Sequence, residues 1–130
     1  MFELNTLTIN HFGIIVPAGD VDKIEKESGN KFVRDDIQGV SVLFVWNNEL
    51  NHFCEYITRE GRAANYELGF NHICYDVGST EEMNQIHKDI VLDKQGVRLT
   101  LLEPSPTKNC NKVAFYKLKN IGIVEFNVLD

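Results

Sequence analysis

Cysteine is scarce. The 130 residues hold three, Cys54, Cys74 and Cys110, an odd number with no CxxC spacing. A disulfide-stapled secreted scaffold is therefore not expected, and a reducing cytoplasm is. Cys54 and Cys74 lie in apolar strand-like runs and read as small buried hydrophobes. Basic residues are also in deficit: 13 Lys plus Arg against 19 Asp plus Glu leave a net charge of −6. That balance argues against nucleic acid and against an anionic membrane surface as partners. It does not exclude an anionic small ligand, because one pocket can differ from the whole surface. No apolar run approaches the roughly 20 residues of a membrane helix. Met1 to Asn10 has no basic stretch leading into an apolar one, so no signal peptide is expected. What is present is ordinary for a folded protein, 43% hydrophobic and 25% charged residues. A chain of this length is enough for a single domain, residues 1–130, with its own core.

Strand-like segments dominate. Leu7 to Val16, LTINHFGIIV, is rich in β-branched residues and closed by Pro17. Asp20 to Ser28 reads as a short helix, with Asp20 as its cap and Gly29 as its stop. Lys31 to Arg34 is a short strand candidate. Gly39 to Trp46, GVSVLFVW, is apolar on both faces and is expected to be buried on both. Asn47-Asn48 turns the chain into Phe53 to Thr58. Arg59 to Leu68 is polar and irregular, a linker.

The pattern then restarts. Phe70 to Val77 is a strand, and Ser79 caps a helix reaching Leu92, with Glu82 completing a capping box. Met83, Ile86, Ile90 and Val91 form its apolar stripe. A strand follows at Val97 to Leu102, and Pro104 and Pro106 punctuate a loop over Glu103 to Asn111. Val113 to Leu118 and Ile121 to Leu129 close as a hairpin around Lys119-Asn120. The order strand, helix, three strands thus occurs twice, over residues 7–58 and 70–129. Even the opening phrases match, INHF at Ile9 against FNHI at Phe70. Few helices beside many strands argue an α+β fold, each helix covering one face of a curved sheet.

The duplication matters for chemistry. His11 and His72 lie on the first strand of each half, and Glu55 and Glu125 on the last. If the halves pack about a pseudo-twofold axis, two imidazoles and two carboxylates surround one point. Such a set suits one divalent metal, and Zn, Ni, Co, Mn and Fe all accept these ligand types. Taken singly, a strand histidine is more often a hydrogen-bonded core residue, and a strand glutamate more often faces solvent. The matched placement of all four carries the metal reading. A lone Glu amid apolar strand residues is also costly unless paired or ligated. His52, in a polar turn, and His87, on the polar side of a helix, read as solvated.

The phrases HFGIIV at His11, GVSVLFV at Gly39, CEYI around Glu55, NHICYDV at Asn71 and GIVEF before Phe126 resemble the vicinal oxygen chelate superfamily, which includes glyoxalase I and methylmalonyl-CoA epimerase. They span Leu7 to Leu129, and the branch most similar is that of methylmalonyl-CoA epimerase. The resemblance implies two βαβββ modules forming a cup-shaped mixed sheet around a metal. It maps the ligands onto the same four residues, His11, Glu55, His72 and Glu125. Epimerases of this kind carry a catalytic carboxylate just before the Gly-Val pair; here that place holds Ile37, which makes Asp36 a substitute candidate for the base. In glyoxalase I a metal-bound glutamate can itself be the base, a role open to Glu125 or Glu55.

The reaction the resemblance implies is a metal-dependent isomerase or lyase step. It moves a proton alpha to a carbonyl, through an enolate, on a small carbonyl or acyl-thioester substrate. A homodimer is part of the same expectation. Two alternatives stand beside it. One is a metal-free protein that sequesters a small molecule, which has no need of four ligands. The other is a dioxygenase or thiol transferase on the same fold, which typically uses two His and one Glu, so that Glu55 is the discriminating residue.

Overall fold

Alternating apolar residues and well-placed turn formers give most of the strands their observed bounds. The structure is a computed structural model that describes residues 2–104 and 111–129. Among the described residues there are nine strands and two α-helices. They run β1 (Thr8–Val16), α1 (Val21–Ser28), β2 (Val33–Asp35), β3 (Val40–Asn47), β4 (His52–Thr58), β5 (Gly69–Val77), α2 (Thr80–Leu92), β6 (Gly96–Arg98), β7 (Glu103–Pro104), β8 (Lys112–Leu118) and β9 (Gly122–Val128). The protein is α+β, as the sequence implies. No helix among the described residues is long and apolar enough to cross a membrane.

The chain divides into two compact units, a first of His11–Asn71 and a second of Met1–Asn10 with His72–Asp130, the division falling inside β1. In the first unit β2 pairs antiparallel with β3, β3 antiparallel with β4, and β4 parallel with β1. In the second, β5 pairs parallel with β9, β9 antiparallel with β8, and β8 antiparallel with β6 and β7. Each parallel pair is thus the first and last strand of its repeat.

The second unit has a clear core. Odd-numbered Val77 on β5 and even-numbered Val124, Phe126 and Val128 on β9 face the stripe Met83, Ile86 and Ile90 of α2. Tyr116 from β8 joins them, its ring edge-on to Phe126 at 5.3 Å. Strand alternation leaves the opposite face of these strands to His72, Cys74, Glu125 and Asn127. Ser79 caps α2 by accepting from the Glu82 N–H at 3.1 Å, while the Glu82 carboxylate accepts from the Gly78 N–H at 3.2 Å. The first unit is thinner: Val40, Val42 and Ala63 form its buried cluster, with Ile57 against it, and α1 buries no residue.

The sequence reading needs correction at identifiable places. Asp20 makes no side-chain cap bond, because a 3-10 turn at Ala18–Asp20 runs straight into α1 and leaves it at φ −93°, ψ 2°, outside extended cap geometry. Gly29 does end α1, at φ 74°, with its N–H on the Glu25 carbonyl. The second strand falls at Val33–Asp35, shifted from Lys31 to Arg34, where it pairs with Val40 to Val42. β3 is not buried on both faces. Val40, Val42 and Leu43 are buried, but Phe44 and Trp46 further along the strand are exposed.

The linker contains a 3-10 turn at Gly61–Ala63 that buries Ala63. Val91 is exposed, one residue and about 100° past Ile90 on the helix. The strand begun at Gly96 stops at Arg98, and Glu103–Pro104, read as loop, pairs with β8. Pro104 is tolerated there as the end residue of a two-residue strand. The rest of that loop, with Pro106 and Cys110, lies outside the described residues.

Candidate functional site

His11 projects from β1, where Gly13, two residues on, lies opposite Glu55 of β4. Two residues along a strand return to the same face, so the imidazole and the carboxylate meet. His11 Nε2 lies 3.4 Å from Glu55 Oε1, and the His11 ring is 1% exposed. Phe44 of β3 sits opposite Glu55 in the antiparallel register. Its ring meets His11 edge to face at 5.3 Å and 88°.

The second unit repeats this arrangement. His72 projects from β5, and Cys74, two residues on, lies opposite Glu125 of β9. His72 Nε2 lies 3.1 Å from Glu125 Oε1, with the ring 2% exposed. Phe115 of β8 is opposite Glu125 and meets His72 at 5.5 Å and 80°. The same three residue types therefore occupy the same register positions twice.

The donor set fits a metal. Each of His11, Glu55, His72 and Glu125 offers one ligand atom. Two donors bound to one ion at about 2.0–2.2 Å lie roughly 2.8–3.6 Å apart at right to tetrahedral angles. The N-to-O separations of 3.4 and 3.1 Å match that spacing. A carboxylate and an imidazole buried this deeply are costly unless charge-paired or ligating.

The other chemistry-bearing residues sit elsewhere. Asp36 lies in the turn after β2 with its side chain 95% exposed, 3.9 Å from Arg34 Nε. Its neighbour Asp35 is the buried one, accepting from the Ile37 and Gln38 N–H groups and from the Gln38 side chain. His52 is not solvated in a turn but half-buried on β4, its ring against Phe12 at 5.5 Å. His87 is likewise half-buried. Its Nδ1 is 2.7 Å from the Tyr116 hydroxyl, and burial followed by the Arg98 charge holds its pKa below the usual imidazole value. Arg98 also hydrogen-bonds Tyr116 and can only donate.

Sequence reasoning missed Phe44 and Phe115. The signal was available: each is a phenylalanine in the strand that pairs with its glutamate strand, but nothing in an apolar run marks which aromatic faces the histidine.

No protein-family model matches the chain, and no curated protein matches its sequence. Solved structures do match. A hypothetical protein from Bacillus halodurans C-125 aligns with a TM-score of 0.66 at 22% identity, over 96% of this chain and 96% of that one. Methylmalonyl-CoA epimerase from Mycobacterium tuberculosis aligns with a TM-score of 0.66 at 14% identity, over 100% of this chain and 93% of that one. The catechol dioxygenase BphC aligns with a TM-score of 0.64 at 16% identity, over 93% of this chain but 40% of that one. The epimerases and dioxygenases among these neighbours are vicinal oxygen chelate superfamily members. The chain has that fold.

Proposed function

We propose that His11, Glu55, His72 and Glu125 together hold one divalent metal ion, and that the protein is a metal-dependent isomerase or lyase acting on a carbonyl or acyl-thioester compound. The observation that carries this reading is the His–Glu pair built twice at one register, at the donor spacing of adjacent ligands on one ion. Such an ion supplies Lewis-acid stabilisation of negative charge developing on a carbonyl oxygen. The two imidazoles serve as neutral ligands. Phe44 and Phe115 hold the imidazole rings in place and exclude water from them. Glu125 or Glu55 takes the proton alpha to the carbonyl and returns it. Asp36, exposed in its turn, is the weaker candidate for that task. Two carboxylates beside two imidazoles favour this reading over an oxygenase or thiol transferase, which use one carboxylate. A cytoplasmic homodimer belongs to the same proposal, and the free, buried thiol of Cys54 supports a reducing compartment.

The test is metal analysis of protein purified without chelator. It is joined to solvent-deuterium exchange into two kinds of compound, methylmalonyl-CoA and the hemithioacetals of glutathione with methylglyoxal or phenylglyoxal. One equivalent of metal and exchange in one of the two is expected. Metal-loaded protein that exchanges no alpha proton in either would move the reading to a binding protein.

A further inference from the structure

The two units agree at the His, Glu and Phe positions and part company one step further along the same face. Beyond Phe44 and Glu55 in the first unit, the next same-face pair is Trp46 opposite Phe53. Beyond Phe115 and Glu125 in the second, it is Lys117 opposite Ile123. Positions that repeat are the ones ligation needs; a position that differs is free to answer to something else.

Trp46 and Phe53 meet edge to face at 5.2 Å and 86°. They are nonetheless 46% and 51% exposed. Two large rings held in a fixed mutual orientation, yet half open, are not serving the core. They stand about 7 Å, one same-face step, from the Phe44–Glu55 pair. One small molecule can therefore reach both. Ligand sites typically combine such apolar and aromatic walls with a few polar groups, which here are His11 and Glu55.

We infer that Trp46 and Phe53 form a ledge for an aryl ring, so that the ligand handled beside His11 and Glu55 carries an aromatic group close to its oxygen donors. The oxygen-donor half of this inference rests on the metal reading above; the ring contact does not. A third ring packed on an edge-to-face pair gains both area and quadrupole complementarity. An aliphatic ligand with the same oxygen donors gains neither.

Trp46 is the chain's only tryptophan, so its emission reports this ledge alone. The full chain, loaded with zinc, is titrated with 3-phenyllactate and with lactate, which share a hydroxy-acid head and differ only in the ring. Phenyllactate should shift Trp46 emission saturably, at a concentration on the order of 10-fold below that for lactate. Phe53→Ala should remove that advantage and leave lactate unchanged; because Phe53 is half exposed, the substitution spares the core. Phe53→Leu should retain part of it. Equal affinity for the two acids overturns the inference, as does an advantage that survives Phe53→Ala. Zinc binding without any response to phenyllactate also overturns it, while leaving the metal reading standing. A phenyllactate response in protein that binds no zinc supports the ledge and removes the metal instead. Emission that depends on protein concentration alone, with a sedimenting dimer lost in Phe53→Ala, makes the ledge a contact between copies and overturns the inference.

Discussion

Among the described residues of the second unit, ten buried ones, three of them from α2, pack behind the strands that carry His72 and Glu125. In the first unit the buried cluster is only Val40, Val42 and Ala63, none of them from α1, and Val40 and Val42 lie on the same strand face as Phe44. Yet His11, Glu55 and Phe44 stand in the same register as His72, Glu125 and Phe115. The geometry of the pair is therefore set by strand pairing alone. The helix and core behind it set how firmly each half is held.

The largest test of the symmetry is removal of one pair at a time. His11→Ala and His72→Ala should each weaken metal binding by more than about 100-fold, beyond the 10- to 100-fold typical of outer-shell partners, as read by calorimetric titration. If one substitution is tolerated, the two pairs are not equal partners. Glu125→Gln keeps a carbonyl oxygen but cannot accept a proton. It should retain metal and lose on the order of 10²- to 10⁴-fold in deuterium exchange, while Asp36→Asn changes little.

The next tests address the cores. Ile90→Ala empties a fully buried site in α2 and should cost about 2–5 kcal/mol in chemical denaturation. Ile24→Ala in half-buried α1 should cost under about 1 kcal/mol. Near-equal losses would mean that the units share one core. Smaller still is the caps: Ser79→Ala should cost about 1 kcal/mol, whereas Asp20→Ala, which removes no cap bond, should stay within about 0.5 kcal/mol.

The smallest effect is pH-dependent and belongs to the second unit alone. His87 has its pKa lowered in the folded state, first by burial and then by Arg98. Below the unfolded-state imidazole value of about 6.5, the unfolded chain binds a proton that the folded chain does not. Stability from this group is thus present at neutral pH and falls as pH drops through that value. Melting of wild type from pH 7.5 to 5.5 should show the slope, and His87→Gln should flatten it.

Most of this architecture was legible in the sequence because strands announce themselves by composition and turns by their asparagines and glycines. Asn120 at φ 64° sits where Lys119-Asn120 was read as the hairpin turn, and Ser79 caps where a cap was expected. The four candidate ligands were legible through duplication, which no single strand would have revealed. What escaped depends on partners distant in the chain. Whether His87 meets water is decided by Tyr116, 29 residues on. Val91 lies one residue and about 100° from Ile90, and an apolar stripe in the sequence does not say where it stops.

Gly61 carries a consequence of another kind. It sits at φ +51°, and a Cβ there would come within 2.4 Å of the Gln38 and Gly39 carbonyl oxygens. The Arg62 N–H meets the Gln38 carbonyl at 2.9 Å. The segment after β4 is thus latched onto the turn before β3 through main-chain atoms, with no side chain as clasp. Mutational drift can rewrite Asp36, Ile37 or Gln38 without loosening the latch, but a single added methyl at position 61 must push the two backbones apart. Descendants of this chain are therefore free to vary that turn as long as one distant glycine stays bare.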